Sequence, residues 1–261
     1  MPRCFLGLGG NIGDVRQTFA IVLSDLASLG EPLKVVQASR IYRTLPVGED
    51  AGGEFRNAAI EVETDLSPHK LLALLQSLER AHGRNRDVRW SPRPLDIDLI
   101  LYGDQIVSGS RLQIPHPACW YRRFVLDPLI EIAADVIHPV RRVTIGKLHA
   151  RLLAQPFRLG LAGGNEPLQS RIANALRDQF PQIAVNEWNA EKGAQELQPT
   201  IIAWLGSEEA SASTTSGWDS LPRVSRLNIP PNVDDLCEYL SDVLRSATDR
   251  PEPVGMLTVD E

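Results

Sequence analysis

Arg89-Trp-Ser-Pro-Arg-Pro-Leu-Asp96-Ile-Asp98-Leu-Ile-Leu-Tyr102 is the stretch from which the rest of the chain can be read. Prolines close its N-terminal side, and an apolar run interrupted by two acids follows. In a strand, residues two apart point to the same side. Leu95, Ile97, Leu99 and Leu101 are therefore expected to face a core together, while Asp96 and Asp98 project from the opposite face, their Cα atoms roughly 6.6 Å apart. Two carboxylates at that spacing repel unless a cation or several donors sit between them. Magnesium takes oxygen ligands and is commonly held by one or two carboxylates together with substrate phosphates. Arg84, Arg86, Arg89 and Arg93 all lie within 15 residues of Asp98. A carboxylate pair beside a guanidinium cluster suits metal-assisted phosphoryl transfer. The residues alone leave that reading level with a solvated sheet face.

The flanking sequence supplies the rest of a domain. Phe5-Leu-Gly-Leu-Gly-Gly-Asn11 reads as a short strand running into a glycine turn, and Asp14 stands as the N-cap of a helix whose apolar residues are Phe19, Val22, Leu23 and Leu26. Val35 to Tyr42 reads as a strand stopped by Pro46 and Gly48, and Phe55 to Thr64 as another. Ser67-Pro68 opens a helix carrying Leu71, Leu74, Leu75 and Leu78 as far as Gly83. Phe124 to Ala133 reads as a further helix. The order β, α, β, β, α, β and a helix predicts an α+β domain, a ferredoxin-like α/β sandwich with helices on one face of an antiparallel sheet. Periodicity does not separate it from other four-stranded α+β arrangements.

The chain has 261 residues, 43% hydrophobic and 23% charged, enough apolar content for a sizeable core. No apolar run approaches the roughly 18 residues of a membrane span, and Met1 to Gly13 has no export leader, so a cytoplasmic protein is expected. Cys4, Cys119 and Cys237 form no Cys-x-x-Cys pair and read as reduced thiols. Residues 1–158 carry 20 Lys and Arg against 17 Asp and Glu, whereas 159–261 carry 7 against 16. That step predicts two units, and the acidity of the second argues against a nucleic-acid partner.

The expected division is a domain at 1–157, a small Rossmann-like α/β domain at 158–248, and a disordered tail at 249–261. Short apolar strands at Leu159–Ala162, Ile183–Trp188, Ile201–Leu205 and Val224–Ile229 alternate with helical stretches at Pro167–Phe180 and Val233–Ala247, which predicts a parallel sheet. Ser207–Ser220 reads as a loop. Leu161-Ala-Gly-Gly-Asn-Glu-Pro-Leu-Gln-Ser170 lacks the Gly-Lys-Ser/Thr ending of a phosphate-binding loop and is read as a simple β-to-α turn.

Eight short fragments, in order and with spacing near the family's, resemble the 6-hydroxymethyl-7,8-dihydropterin pyrophosphokinase family over about residues 5–140. They are Leu8-Gly-Gly-Asn11 with Ser39-Arg-Ile-Tyr-Arg-Thr44, Phe55-Arg-Asn57-Ala-Ala, Gln76-Ser-Leu-Glu79 with Gly83-Arg84-x-Arg86, Pro92-Arg93-Pro-Leu-Asp96-x-Asp98, Pro115-His116-Pro117, and Arg122-Arg-Phe124. The resemblance implies an enzyme that transfers the β,γ-pyrophosphoryl group of ATP to the hydroxymethyl group of the pterin and releases AMP.

By the same resemblance Asp96 and Asp98 would bind two Mg2+, and Arg84 and Arg86 would lie on a loop that closes over the reaction. Gln76, Glu79, Leu99, His116 and Arg122 would bind ATP. Phe55 and Phe124 would stack on the pterin, Asn57 would read its edge, Thr44 and Val47 would make backbone contacts, and Trp90 and Arg93 would cover it. Ser91 and Leu45 depart from the family's glycine and proline, and the arginine loop is one residue short of some members. A monomer is expected, with contact to another folate-pathway enzyme through the C-terminal domain. Two further readings stay open: a bifunctional protein whose second domain acts on a nucleotide, and a pterin- or nucleotide-binding module that has lost catalysis.

Overall fold

The structure is a computed structural model that describes residues 1–48, 52–83, 92–188, 198–206, 218–231 and 233–258. It divides into two compact units, Met1–His149 with Arg245–Glu261, and Ala150–Leu244. The second unit is thus an insertion: the chain leaves the first unit within one helix and returns to it within another. The expected boundary at 157/158 placed the second unit at the end of the chain, because strand and helix signals do not report where a chain comes back.

The first unit begins with β1 (Arg3–Gly10), α1 (Val15–Ser28), β2 (Leu33–Ala38), β3 (Arg40–Thr44), β4 (Phe55–Thr64), α2 (Pro68–Ala81) and β5 (Asp96–Tyr102). Asp14 caps α1, its Oδ1 accepting the N–H of Gln17 at 3.0 Å, as the sequence implies. Ser67 occupies the N-cap of α2 in extended conformation, but its hydroxyl makes no capping bond. The single strand expected over 35–42 is two strands separated at Ser39, whose backbone N–H donates to the Ala59 carbonyl and whose Oγ accepts the Ala59 N–H, both at 2.9 Å. A short hairpin of β6 (Val107–Ser108) and β7 (Gln113–Ile114), then α3 (Arg123–Ala133) and α4 (Ile145–Leu153), follow.

Phe19, Val22, Leu23 and Leu26 of α1 and Leu71 and Leu75 of α2 pack on one face of the sheet against Leu6, Leu8, Ile60, Val62, Ile97 and Leu99. Helices do not keep to that face alone. α3 lies across the other, where Val125 and Leu129 line a cavity with Gly7 and Ile100.

Two further expectations fail locally. The glycines at 7, 9 and 10 belong to β1 itself and not to a turn, since the strand runs unbroken to Gly10. The pairing of β1 with β5 shifts between Phe5 and Leu6, so that Phe5 faces Leu101 and Leu6 faces Leu99, with Ile100 as the extra residue. Such a bulge reverses the alternation beyond it. Leu101 therefore leaves the cluster that Leu95, Ile97 and Leu99 share, although it stays fully buried, and Tyr102 joins that cluster in its place.

The second unit contains β8 (Arg158–Ala162), α5 (Glu166–Gln179), β9 (Ala184–Glu187), β10 (Ile201–Trp204), β11 (Arg226–Asn228) and most of α6 (Leu236–Thr248). Its sheet has the order β11-β10-β8-β9, and all three pairings are parallel, as the continuous apolar strands imply. Gly163 and Gly164, both at positive φ, join β8 to α5, whose N-cap Asn165 accepts the N–H of Leu168 at 3.0 Å. Most of the expected loop at Ser207–Ser220 lies outside the described residues.

The terminal segment overturns the expected disordered tail. β12 (Glu252–Met256) pairs antiparallel with β3 and becomes the edge of the first unit's sheet, whose order is β12-β3-β4-β1-β5, with β2 also on β4. Pro253 fits there because an edge strand can leave one N–H side unpaired. Leu257 is buried in the first unit's core, and Val254 packs against it. Those two apolar residues outweigh the prolines and acids from which disorder is read.

Candidate functional site

Three strands set the floor. β1 lies between β4 and β5, antiparallel to both, and the registers align Asn57 with Gly9 and Asp96, and Ala59 with Gly7 and Asp98. Residues directly opposite in such a sheet share a face, so Asn57, Asp96 and Asp98 rise from the same surface with bare glycines between them. A Cβ on Gly9 would stand 3.3 Å from Asn57 Oδ1, and one on Gly7 would stand 3.3 Å from the Ile100 side chain. Gly7 and Gly9 were not among the expected site residues. The alternation Leu6-Gly7-Leu8-Gly9 carries their signal, with leucines to the core and glycines to the site.

Over this floor is a first cavity walled by Thr44, Val47, Phe55, Asn57 and Phe124. Asn57 is buried, and its Nδ2 donates to Thr44 Oγ1 at 2.7 Å, which orients the amide. Phe55 and Phe124 are half-buried, lie outside the core clusters and present ring surface to the cavity. Arg93 closes one side. Its Nη1 is 3.2 Å from Asp96 Oδ2, while its Nε is buried with no hydrogen-bond partner among the described residues. The backbone of Arg93 is clamped by Asn11, whose N–H donates to the Arg93 carbonyl and whose Oδ1 accepts the Arg93 N–H, both at 2.9 Å. Asn11 is a further contributor, to which the resemblance assigns no role.

A second cavity opens on the other side of the acids and is lined by Gln76, Glu79, Leu99 and His116. Asp96 and Asp98 line both cavities. Glu79 is buried, and its Oε1 accepts the Ile97 N–H at 2.9 Å, tying α2 to β5. Burial, with the Arg122 charge adding, pushes the His116 pKa down to about 3, so its ring is neutral near pH 7. Its Nδ1 faces the Ala118 N–H at 3.3 Å as an acceptor, which puts the ring proton on Nε2. Arg122 lines the first cavity and not the second, with its guanidinium 5.4 Å from the Phe124 ring centre. The resemblance grouped it with the nucleotide residues; its position is with the aromatic pair, near enough to His116 to repel a proton there.

The donor set suits magnesium that arrives with phosphate. Asp96 and Asp98 are half-buried on one face, and two carboxylates leave the remaining octahedral positions to water and phosphate oxygens. Among the described residues no group of three or more His, Cys, Asp or Glu side chains gathers into an all-protein cage. Arg84, Arg86, Trp90 and Ser91 lie outside the described residues.

Residues 5–134 match the profile of the family described as 7,8-dihydro-6-hydroxymethylpterin-pyrophosphokinase (HPPK). A 2-amino-4-hydroxy-6-hydroxymethyldihydropteridine pyrophosphokinase of Methylorubrum extorquens is 44% identical over 137 residues, covering 52% of this chain and 86% of the relative. The enzyme of the same name from Aquifex aeolicus is 33% identical over 157 residues, 60% of this chain and 96% of its own. Among solved structures, Plasmodium falciparum HPPK-DHPS overlaps 78% of the chain with a TM-score of 0.43 and 16% identity, and the chain spans 61% of that protein.

Proposed function

The chain belongs to the 7,8-dihydro-6-hydroxymethylpterin-pyrophosphokinase family, and from that premise we propose that its first unit transfers pyrophosphate from ATP to 6-hydroxymethyl-7,8-dihydropterin in folate synthesis. The observation that carries this reading is the pair of cavities sharing Asp96 and Asp98, one walled by aromatic rings and an amide, the other by polar groups around a neutral histidine. A flat polar heterocycle suits the first cavity: Phe55 and Phe124 offer ring faces, and Asn57, fixed by Thr44, offers a donor and an acceptor at the edge. The second takes the nucleotide. His116 Nε2–H donates to phosphate, and Gln76 and Glu79 read the remainder.

The transfer forms a bond between the pterin hydroxymethyl oxygen and the β-phosphorus and breaks the bridging bond to the α-phosphate. AMP leaves with that bridging oxygen, and the hydroxyl proton passes to water. Asp96 and Asp98 stand where the two substrates meet and would hold two Mg2+. When bound, that metal neutralises phosphate charge and lowers the pKa of the hydroxyl. The chain's own contribution is positioning, which carries most of such a reaction. Arg93 covers the pterin beside Asp96, and Arg122 places a positive charge against Phe124. Arg84, Arg86 and Trp90 keep the roles that the resemblance assigns them.

We read the first unit as a ferredoxin-like α/β sandwich and the second as a small Rossmann-like domain, a reading supported by the antiparallel and parallel sheets respectively. The second unit is an accessory of the kinase in a monomeric, cytoplasmic protein, and a surface for another folate-pathway enzyme. No described helix is long and apolar enough to cross a membrane, and all three cysteines are free. The test is AMP formation by the full chain from ATP, magnesium and the pterin, with the pterin omitted as control. Pterin-dependent AMP matched by pterin diphosphate is expected. Binding of both substrates without AMP would leave a binding module instead.

A further inference from the structure

The chain beyond the second unit lies outside the family match, which ends at residue 134, yet it pairs with β3, whose Thr44 lines the first cavity. β3 has two neighbours. On its inner side β4 pairs Tyr42 with Asn57 and Thr44 with Phe55. On its outer side β12 pairs Glu252 with Arg43, Pro253 with Tyr42 and Met256 with Arg40. An ion pair between Arg43 and Glu252 and a hydrogen bond from the Arg16 guanidinium to the Val254 carbonyl fasten the added strand. Leu257 anchors its end in the core.

Asp249, just ahead of β12, extends this hold to the chain leaving β3. Its Oδ1 accepts the Arg250 N–H at 2.8 Å, and its Oδ2 is buried with no hydrogen-bond partner among the described residues. The backbone N–H of Leu45 faces the same carboxylate, and Arg123 and Asp127 are the charged groups around it. Leu45 is the first residue after β3, and Thr44, Leu45 and Val47 all line the first cavity. Leu45 is itself 64% exposed, so its side chain does little to hold the segment, which continues directly from β3, paired with β12 as far as Arg43 and Glu252.

We propose that Asp249–Leu257 is a positioning element of the pterin pocket, holding Thr44–Val47 in its binding shape, so that pterin affinity depends on residues at the far end of the chain while nucleotide affinity does not. The inference rests on reading the first cavity as the pterin site. It also gives the insertion a consequence: the second unit separates the catalytic strands from the strand that finishes their pocket.

The test titrates full-length Asp249→Ala, Asp249→Asn and the unaltered protein with the pterin and, separately, with a non-hydrolysable ATP analogue. Asp249→Ala is expected to weaken pterin binding about 3- to 10-fold, the effect of one lost polar constraint, with the ATP analogue unaffected. Asp249→Asn keeps an oxygen acceptor and is expected to stay within about twofold of the unaltered protein. Equal loss for both ligands, or no loss in a folded Asp249→Ala protein, overturns the positioning role and leaves the kinase reading standing. Failure of the unaltered protein to bind pterin overturns both. Should Asp249→Ala not fold, hydrogen exchange of the unaltered protein decides: pterin must slow the amides of Thr44–Val47 and β12 together, and protection of Thr44–Val47 alone overturns the proposal.

Discussion

Glu79 Oε1 accepts the backbone N–H of Ile97 at 2.9 Å, from a side chain only 1% exposed. Ile97 is the residue between the two acids, so one bond from α2 fixes the part of β5 that presents Asp96 and Asp98. Glu79→Ala would leave the Ile97 N–H buried without that acceptor, at a cost of about 1–3 kcal/mol. Denaturant unfolding should show that loss, and pterin-dependent AMP formation should fall with it. Glu79→Gln keeps an oxygen in place and should recover most of both. A Glu79→Ala protein as stable and active as the unaltered one would remove this bond from the account of the site.

Asp98→Asn separates chemistry from folding at one position. Asp98 is half-buried on the cavity face, opposite Gly7 and away from the leucine core. Removing its charge should lower turnover by several orders of magnitude while the thermal midpoint stays near that of the unaltered protein. Unfolding of the variant at room temperature would contradict its placement on that face.

Adjacent glycines in β1 should respond to alanine in different ways. A Cβ on Gly10 would stand 2.5 Å from the Pro94 carbonyl oxygen, which is backbone and cannot step aside. Gly10→Ala should therefore cost stability, about 1–3 kcal/mol as an overpacked site does, readable in the thermal midpoint. On Gly9 the Cβ would stand 3.3 Å from Asn57 Oδ1. Gly9→Ala should leave stability nearly intact and raise the KM for pterin several-fold, with the KM for ATP unchanged. Equal effects of the two substitutions would refute the assignment of Gly9 to the cavity floor.

The parts of the fold legible in the sequence are those with a local cause. Asp96 and Asp98 share a face because strand periodicity is two, and Asp14 caps α1 because the carboxylate sits one turn from a free N–H. The bulge at Ile100 was not legible, because an extra residue in one strand is defined only against its partner. Neither was β12: Pro251, Pro253 and neighbouring acids describe a solvated tail, and only the vacant edge of β3 makes them a strand. The candidate site divides in the same way. Side chains with distinctive chemistry were found, whereas Gly7 and Gly9, which act by having no side chain, needed the cross-strand register. The return of the chain at Arg245 also alters how the kinase can be tested, since cutting it near Arg158 would remove β12 along with the second unit.

Acid should loosen the first unit before its carboxylates titrate. His138 is 2% exposed, and burial, aided by the Arg141 charge, pushes its pKa down to about 4, as burial and Arg122 push His116 to about 3. In the unfolded chain both rings take up protons near the usual 6.5. Between pH 6.5 and 5 the unfolded state therefore binds more protons than the folded one, and stability falls as the pH falls. Each ring contributes up to about 1.4 kcal/mol per pH unit in that interval and nothing above it. Glu61, Asp127 and Glu131 have pKa values held below the usual carboxylate range by their hydrogen-bonded partners against the cost of burial, so they add the same sign of effect only at lower pH. Denaturant midpoints measured from pH 8 to 5 should be flat above 7 and decline below 6.5. His138→Gln, compared at each pH with its own value at pH 8, should show a shallower decline by about one proton's share. A decline of unchanged steepness would mean that His138 takes up its proton in the folded protein as readily as in the unfolded chain.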